Sequence, residues 1–294
     1  MGNRFPTLIR VVFFIAILAS ILAVNACTVV YSATLQPSPT PTPFQPKTFT
    51  PTLIPTMHTP APGLRGSVTP TQSPIVLDVP ILLYHHIAKA GVDQRYYVSP
   101  ADFEKQMQWL VDHGYQAITE SELSEVIVNG GTLPEKPVVI TFDDGNADFF
   151  AGAFPVMSRL HLIGVAFLVT GRIDKPGSVS SEQVEDLINA GWEIGSHTVN
   201  HADLLMKSSD LDEEIFGSKV WLEAKYGIEV ISFAYPFGSM NTSIAQLVED
   251  DGYTSAARLG GRIHQSMDDL YFLGRTEIRG EYTMAQFAAL MPWK

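Results

Sequence analysis

Four short stretches carry the residues able to do chemistry. Thr141-Phe142-Asp143-Asp144-Gly145 sets two carboxylates side by side at a glycine turn, and His197-Thr198-Val199-Asn200-His201 spaces two imidazoles four residues apart. Tyr84-His85-His86 adds two more imidazoles, and Tyr235-Pro236-Phe237-Gly238 adds a second tight turn. With paired acids, one can hold a metal ion while the other accepts a proton. Two imidazoles and one carboxylate leave coordination positions open for water and substrate, as a catalytic zinc ion requires, and the set also suits Fe(II), Co or Ni. On a helical turn, residues four apart lie on one side, and that local geometry is predicted for His197 and His201. A lone Asp-Asp-Gly is more often a solvated turn, and a lone His-x-x-x-His is a weak signal. The combination is what counts.

The elements that must position these stretches alternate strand and helix. Pro137 to Ile140 reads as a short strand buried on both faces and leads straight into Asp143-Asp144, with a helix over Ala147 to Leu160 behind the turn. Further strands are predicted at Asp78 to Tyr84, Gly164 to Val169, Trp192 to Gly195, Val230 to Ala234, Tyr253 to Ala256 and Leu270 to Leu273. Helices are predicted at Ala101 to His113, Glu120 to Val128, Ser181 to Ala190, Leu211 to Tyr226, Ser243 to Asp250 and Met284 to Met291. Alternation of this kind argues for a parallel sheet, and its length suggests a closed or nearly closed barrel of about seven strands. All four chemical stretches fall just after strands, at the end where parallel barrels gather their sites.

Thr-Phe-Asp-Asp-Gly, Ser-His-Thr-x-x-His and Tyr-Pro-Phe-Gly, in this order and at strand ends, resemble the polysaccharide deacetylase family (NodB homology, carbohydrate esterase family 4) over residues 75–294. The resemblance implies a distorted (β/α) barrel and metal-assisted removal of acetyl groups from N-acetylated sugar polymers. It implies Asp143 as general base and Asp144, His197 and His201 as ligands of one divalent ion, zinc first. The developing oxyanion is expected to meet a backbone N–H in the turn at Tyr235 and Pro236.

The chain also departs from that pattern. Ala234 stands where the family usually has an arginine, and Leu273-Gly274-Arg275 stands where it usually has Leu-x-His, the source of the general acid. Tyr84-His85-His86 resembles the branch acting on poly-β-1,6-N-acetylglucosamine, in which an N-terminal histidine supplies the acid. By that likeness His85 is the acid and Arg275 the replacement partner of Asp143. His86 and His264 are lesser candidates, and His58, His113 and His161 receive no role. Two readings stay beside this one: a deacylase of another polymer (peptidoglycan, chitin or acetyl-xylan), and an inactive carbohydrate-binding module. The four retained site residues speak against the second.

Outside this domain, Arg4 and Arg10 precede an apolar run from Val11 to Val24 that ends at Cys27, the sole cysteine. That is the layout of an export signal. It is expected to be either a lipoprotein signal with Cys27 lipidated or an uncleaved membrane helix. Both tether the domain to the membrane outside the cytoplasm. Residues 28–74 are rich in proline and threonine, an extended spacer at ~3.1 Å per residue. The net charge of -12 disfavours nucleic acid as a partner. The expected partners are an N-acetylated polysaccharide and the membrane, and the chain is expected to be a monomer.

Overall fold

The computed structural model describes residues 75–89 and 93–293. The chain divides into Met1–Ser67 and Val68–Lys294, and all described residues belong to the second unit. The export signal, Cys27 and the proline-rich spacer lie outside the described residues. Among the described residues no helix is long and apolar enough to cross a membrane.

Eight parallel strands form the sheet: β1 (Ile81–Tyr84), β2 (Gln116–Ile118), β3 (Pro137–Phe142), β4 (Val165–Leu168), β5 (Glu193–Ser196), β6 (Ser232–Ala234), β7 (Ser255–Leu259) and β8 (Leu273–Glu277). Seven close into a barrel in the order β1, β8, β7, β6, β5, β4, β3, with β3 returning to β1 through Ile81↔Val139 to Tyr84↔Phe142. The eighth, β2, pairs only with the first half of β3, and β4 pairs with the second half. They follow one another along the same edge, which is the distortion of this barrel. The helices are α1 (Pro100–Asp112), α2 (Glu120–Asn129), α3 (Ala147–Arg159), α4 (Ser181–Asn189), α5 (Ser218–Tyr226), α6 (Thr242–Asp250) and α7 (Met284–Ala289).

Strand side chains alternate between two faces, and the buried residues separate accordingly. Val138, Ile140 and Phe142 of β3, with Leu82, Tyr84, Ala166 and Leu168, join a cluster with helix residues such as Phe103, Met107 and Phe149. Ile81, Val139, Val165, Phe167, Ala234, Ala257 and Leu273 form a second cluster on the barrel axis, closed from below by Leu123 and Ile127 of α2. α2 therefore plugs the foot of the barrel. Its start is fixed by a reciprocal cap between Thr119 and Glu122. Space on the axis is tight: a Cβ on Gly195 would lie 2.5 Å from the Phe167 ring.

Several predicted boundaries change for physical reasons. The first predicted strand divides at Pro80, which has no N–H to give a ladder. Val76–Asp78 pairs antiparallel with His264–Ser266, and β1 begins after the proline. The last predicted strand, Leu270 to Leu273, shifts to Leu273–Glu277, because beyond Leu273 its inward side chains, Arg275 and Glu277, are polar and line the cleft, so no apolar run marks it. β2 falls outside the predicted strands, and the helix predicted from Leu211 opens with a π-helical turn, Asp212–Gly217.

The plug carries an acid onto the axis. Glu120 is fully buried, its Oε1 accepts a 2.8 Å hydrogen bond from Ser255 Oγ, and its Oε2 has no partner among the described residues. Burial, with Glu193 nearby, pushes its carboxyl up to about 8. The folded state thus holds this proton more tightly than the unfolded chain, where the ordinary value is 4.5. Stability from this group is complete below that value and is lost as pH rises towards 8. Glu120→Gln keeps the acceptor for Ser255 and removes the titration. Urea unfolding at about pH 5 and at about pH 8 should show the variant gaining on the wild type by on the order of 3 kcal/mol between the two. An unchanged difference would assign the proton elsewhere.

Candidate active site

The alternation that fills the axis also builds the site. On β3, Val139 and Thr141 face inward, so Asp143 does too. Arg275, inward on β8, meets it with Nη1 and Nη2 each 2.6 Å from a carboxylate oxygen. Arg275 is 1% exposed, stands 5.3 Å over the Phe167 ring, and also gives a longer bond to Thr141 Oγ1. Burial alone would raise the Asp143 carboxyl, but the charge and hydrogen bonds of Arg275, with His197, hold it below its ordinary value.

Alternation would send Asp144 outward. Instead Asp144 takes φ 73°, which aspartate tolerates better than most residues, and Gly145 follows at φ 71°. The double left-handed turn brings Asp144 back beside Asp143. Its Oδ1 then lies 3.2 Å from His201 Nε2 and 3.8 Å from His197 Nε2. Burial opposes the charge on Asp144, yet the two imidazoles keep its carboxyl well below the usual carboxylate range.

His197 follows β5 on the inward parity. Its Nδ1 donates to the Ala234 carbonyl at 2.7 Å, which fixes the tautomer and turns the lone pair of Nε2 towards Asp144. Burial lowers this imidazole to about 4, so it is neutral. His201 reaches the same point by a route the sequence does not suggest. Residues 197–201 are a loop rather than a helical turn, with Thr198 at φ 69° and His201 at φ 59°. The Thr198 hydroxyl accepts the His201 N–H at 2.9 Å. The rings end 4.9 Å apart at 68°.

Asp144, His197 and His201 each offer one ligand atom, and all three lie within 4.8 Å of one another. Asp144 Oδ1 is buried and accepts no hydrogen bond among the described residues. A buried carboxylate oxygen left without a donor between two imidazoles, with the Arg172 guanidinium no nearer than 3.7 Å, fits a divalent cation in donor type.

The cleft above holds about 430 Å³ and is lined by His85, His86, Tyr96, Tyr97, Phe237 and Glu277 as well as Asp143, Asp144, His197, His201 and Arg275. His85 packs edge-on to Tyr96 with ring centres 5.0 Å apart. Burial lowers its imidazole below the ordinary 6.5, against the opposite pull of Asp143 and Asp144. His86 is turned aside: its Nδ1 is 2.9 Å from Asp148 and its ring stacks on Tyr97. His264 is removed altogether, 66% exposed and paired with Asp78 away from the cleft.

The expected oxyanion donors need correction. The Tyr235 N–H donates to Ala257 O at 3.1 Å within the barrel, and Pro236 has none to give. The N–H groups of Gly238 and Ser239 close the turn on Tyr235 and Pro236. Phe237 remains, at φ 60°, with no acceptor for its N–H among the described residues. Its ring is 61% exposed at the cleft mouth, 4.6 Å from His201. Tyr96 and Tyr97 carried no sequence signal of a role, whereas Phe237 stood within the Tyr-Pro-Phe-Gly stretch.

These features define a (β/α)-barrel enzyme whose cleft joins an ion-paired carboxylate to a cluster of three metal-type donors. The family model for polysaccharide deacetylases matches residues 130–256. A solved polysaccharide deacetylase from Bacillus cereus is 30% identical with a TM-score of 0.65, the likeness covering 72% of this chain and 68% of that one. A Streptococcus pyogenes deacetylase solved with acetate is 25% identical with a TM-score of 0.67, over 74% of this chain and 99% of that one. The poly-beta-1,6-N-acetyl-D-glucosamine N-deacetylase of Staphylococcus aureus is 25% identical over 174 residues, 54% of this chain and 60% of that protein. The chain belongs to the polysaccharide deacetylase family.

Removing one partner of a buried ion pair strands the other charge, at a cost of about 3–5 kcal/mol. Arg275→Met should therefore destabilise the protein by that order, and adding Asp143→Asn should recover much of the loss. Urea unfolding of the wild type, both single variants and the double variant checks the coupling. A double variant as unstable as the two single effects summed would mean that the pair is not coupled.

Proposed function

We propose that this protein is a metal-dependent N-deacetylase of an N-acetylglucosamine polymer at the cell surface. The observation that carries the metal is Asp144 Oδ1, buried without a hydrogen-bond donor between His197 and His201. A bound divalent ion, zinc first by its N₂O donor set, supplies Lewis acidity towards the acetyl carbonyl and lowers the pKa of water to about 7.

The chain's own residues supply the rest. Asp143, kept ionised by Arg275, takes one proton from the attacking water as its oxygen bonds to the acetyl carbon. The Phe237 N–H faces the charge that develops on the carbonyl oxygen. His85 then gives a proton to the sugar nitrogen as the C–N bond breaks, releasing acetate and a free amine. His85 ends β1, which pairs with β8, so it stands beside the strand whose usual histidine is replaced here by Arg275. Tyr96 and Phe237 offer apolar ring surface to pyranose rings at the mouth. The Staphylococcus aureus relative's name and the Tyr84-His85-His86 stretch favour a β-1,6-linked N-acetylglucosamine polymer.

Acetate release from defined N-acetylglucosamine oligomers tests this reading. β-1,6 oligomers should outperform chitin oligomers and acetyl-xylan, and chelation should abolish turnover. His85→Ala should retain metal while losing about 10²–10⁴-fold in turnover, the usual worth of a general acid, and His86→Ala should lose much less. Full turnover by His85→Ala would remove it from the mechanism.

The membrane tether is proposed from the sequence alone: Cys27 as the lipidated first residue of the mature protein. The mass of the N-terminal peptide from membranes tests it. A chain still beginning at Met1 with an unmodified Cys27 would point to an uncleaved helix instead.

A further inference from the structure

We propose that Glu214 is the positioning residue that holds the loop between His197 and His201 in its metal-binding shape. Glu214 is 5% exposed and does not line the cleft. Its Oε2 accepts the backbone N–H of Val199 at 3.0 Å and of Asn200 at 2.9 Å, and its Oε1 accepts Asn200 Nδ2 at 2.9 Å. All three donors lie between the two imidazoles.

The loop needs such a hold. Left-handed backbone at a β-branched residue such as Thr198 is unfavourable, and each strained residue costs on the order of 1–3 kcal/mol unless its surroundings enforce it. The loop's carbonyls are held on the other side, Thr198 O by the Thr170 N–H and Val199 O by the Gly171 N–H. Glu214 completes the hold by taking the amides. It sits in the π-helical turn Asp212–Gly217, a local widening that re-aims side chains and recurs at functional sites. Ser218 anchors that turn to the strand before His197: its hydroxyl donates to the Glu214 carbonyl at 2.8 Å and meets Ser196 Oγ at 2.6 Å. The carboxylate acts on the ion only through the position of His201 relative to His197 and Asp144.

The test is the metal affinity of folded protein. Apoprotein is titrated with Co²⁺ against a chromophoric chelator, and the visible d–d band is recorded well below each variant's melting temperature. Glu214→Ala leaves the backbone amides of Val199 and Asn200 without their acceptor and should bind Co²⁺ about 10–100-fold more weakly, the usual effect of losing a group that supports a ligand, with an altered band. Glu214→Gln should restore near wild-type affinity and spectrum. Its carbonyl can accept both amides and its NH₂ can face Asn200 Oδ1 after that amide flips. A merely structural role would lower the melting temperature and leave affinity and band at wild type, and that result overturns the proposal. Should Glu214→Ala not fold, Glu214→Asp, one methylene short of both amides, carries the same expectation and the same overturning result. The inference rests on the metal site proposed above. Wild-type protein that binds no Co²⁺ overturns both, whereas equal binding by wild type and Glu214→Ala overturns the role of Glu214 alone.

Discussion

A closed barrel of parallel strands leaves every second side chain nowhere to go but the axis, and the rest of this structure follows from how that axis is filled. Near the foot and middle the inward positions are apolar or small: Val139, Val165, Phe167, Ala234, Ala257 and Gly195. At the upper end the same parity delivers His85, Asp143, His197 and Arg275 to one point. No loop has to reach far to assemble the site, because the strands aim most of it. Rigidity comes with the arrangement, since each inward residue is fixed by the pairing of its strand with two neighbours.

The axis is electrostatically divided. Asp143 is held ionised at the top by a fully buried guanidinium, whereas Glu120 at the foot is held in its protonated form by burial and by Glu193. Two carboxyls on one axis thus take opposite protonation states, and Arg275 between them faces the upper one. An arginine answers Asp143 better than a lysine could, because its planar fork gives two parallel hydrogen bonds to one carboxylate.

What the strands cannot aim, strained loops do. Asp144, Thr198, His201 and Phe237 all take left-handed backbone, and all four are at the site. A left-handed residue reverses the course of the chain within one step, which is how Asp144 escapes the alternation of β3 and how His201 returns to face His197. Such conformations persist only where surrounding hydrogen bonds over-determine them, and the bonds around Thr198 to His201 are of that kind.

The sequence by itself determined the alternation of strand and helix, the barrel, and the four strand-end stretches, because these are local patterns of apolar runs and turn residues. It also supplied the donor types at Asp144, His197 and His201. Tertiary structure alone decided the rest. The Arg275–Asp143 pair spans 132 residues, and the Tyr235 amide is consumed by Ala257 on the neighbouring strand. His86 is diverted to Asp148 and His264 to Asp78, each 62 or more residues away. The helical spacing of His197 and His201 suggested a helix where a loop stands, since i, i+4 spacing carries no record of backbone handedness. Glu214 gave no signal at all, because one acid in an acidic first turn resembles its neighbours until the loop it holds is folded against it.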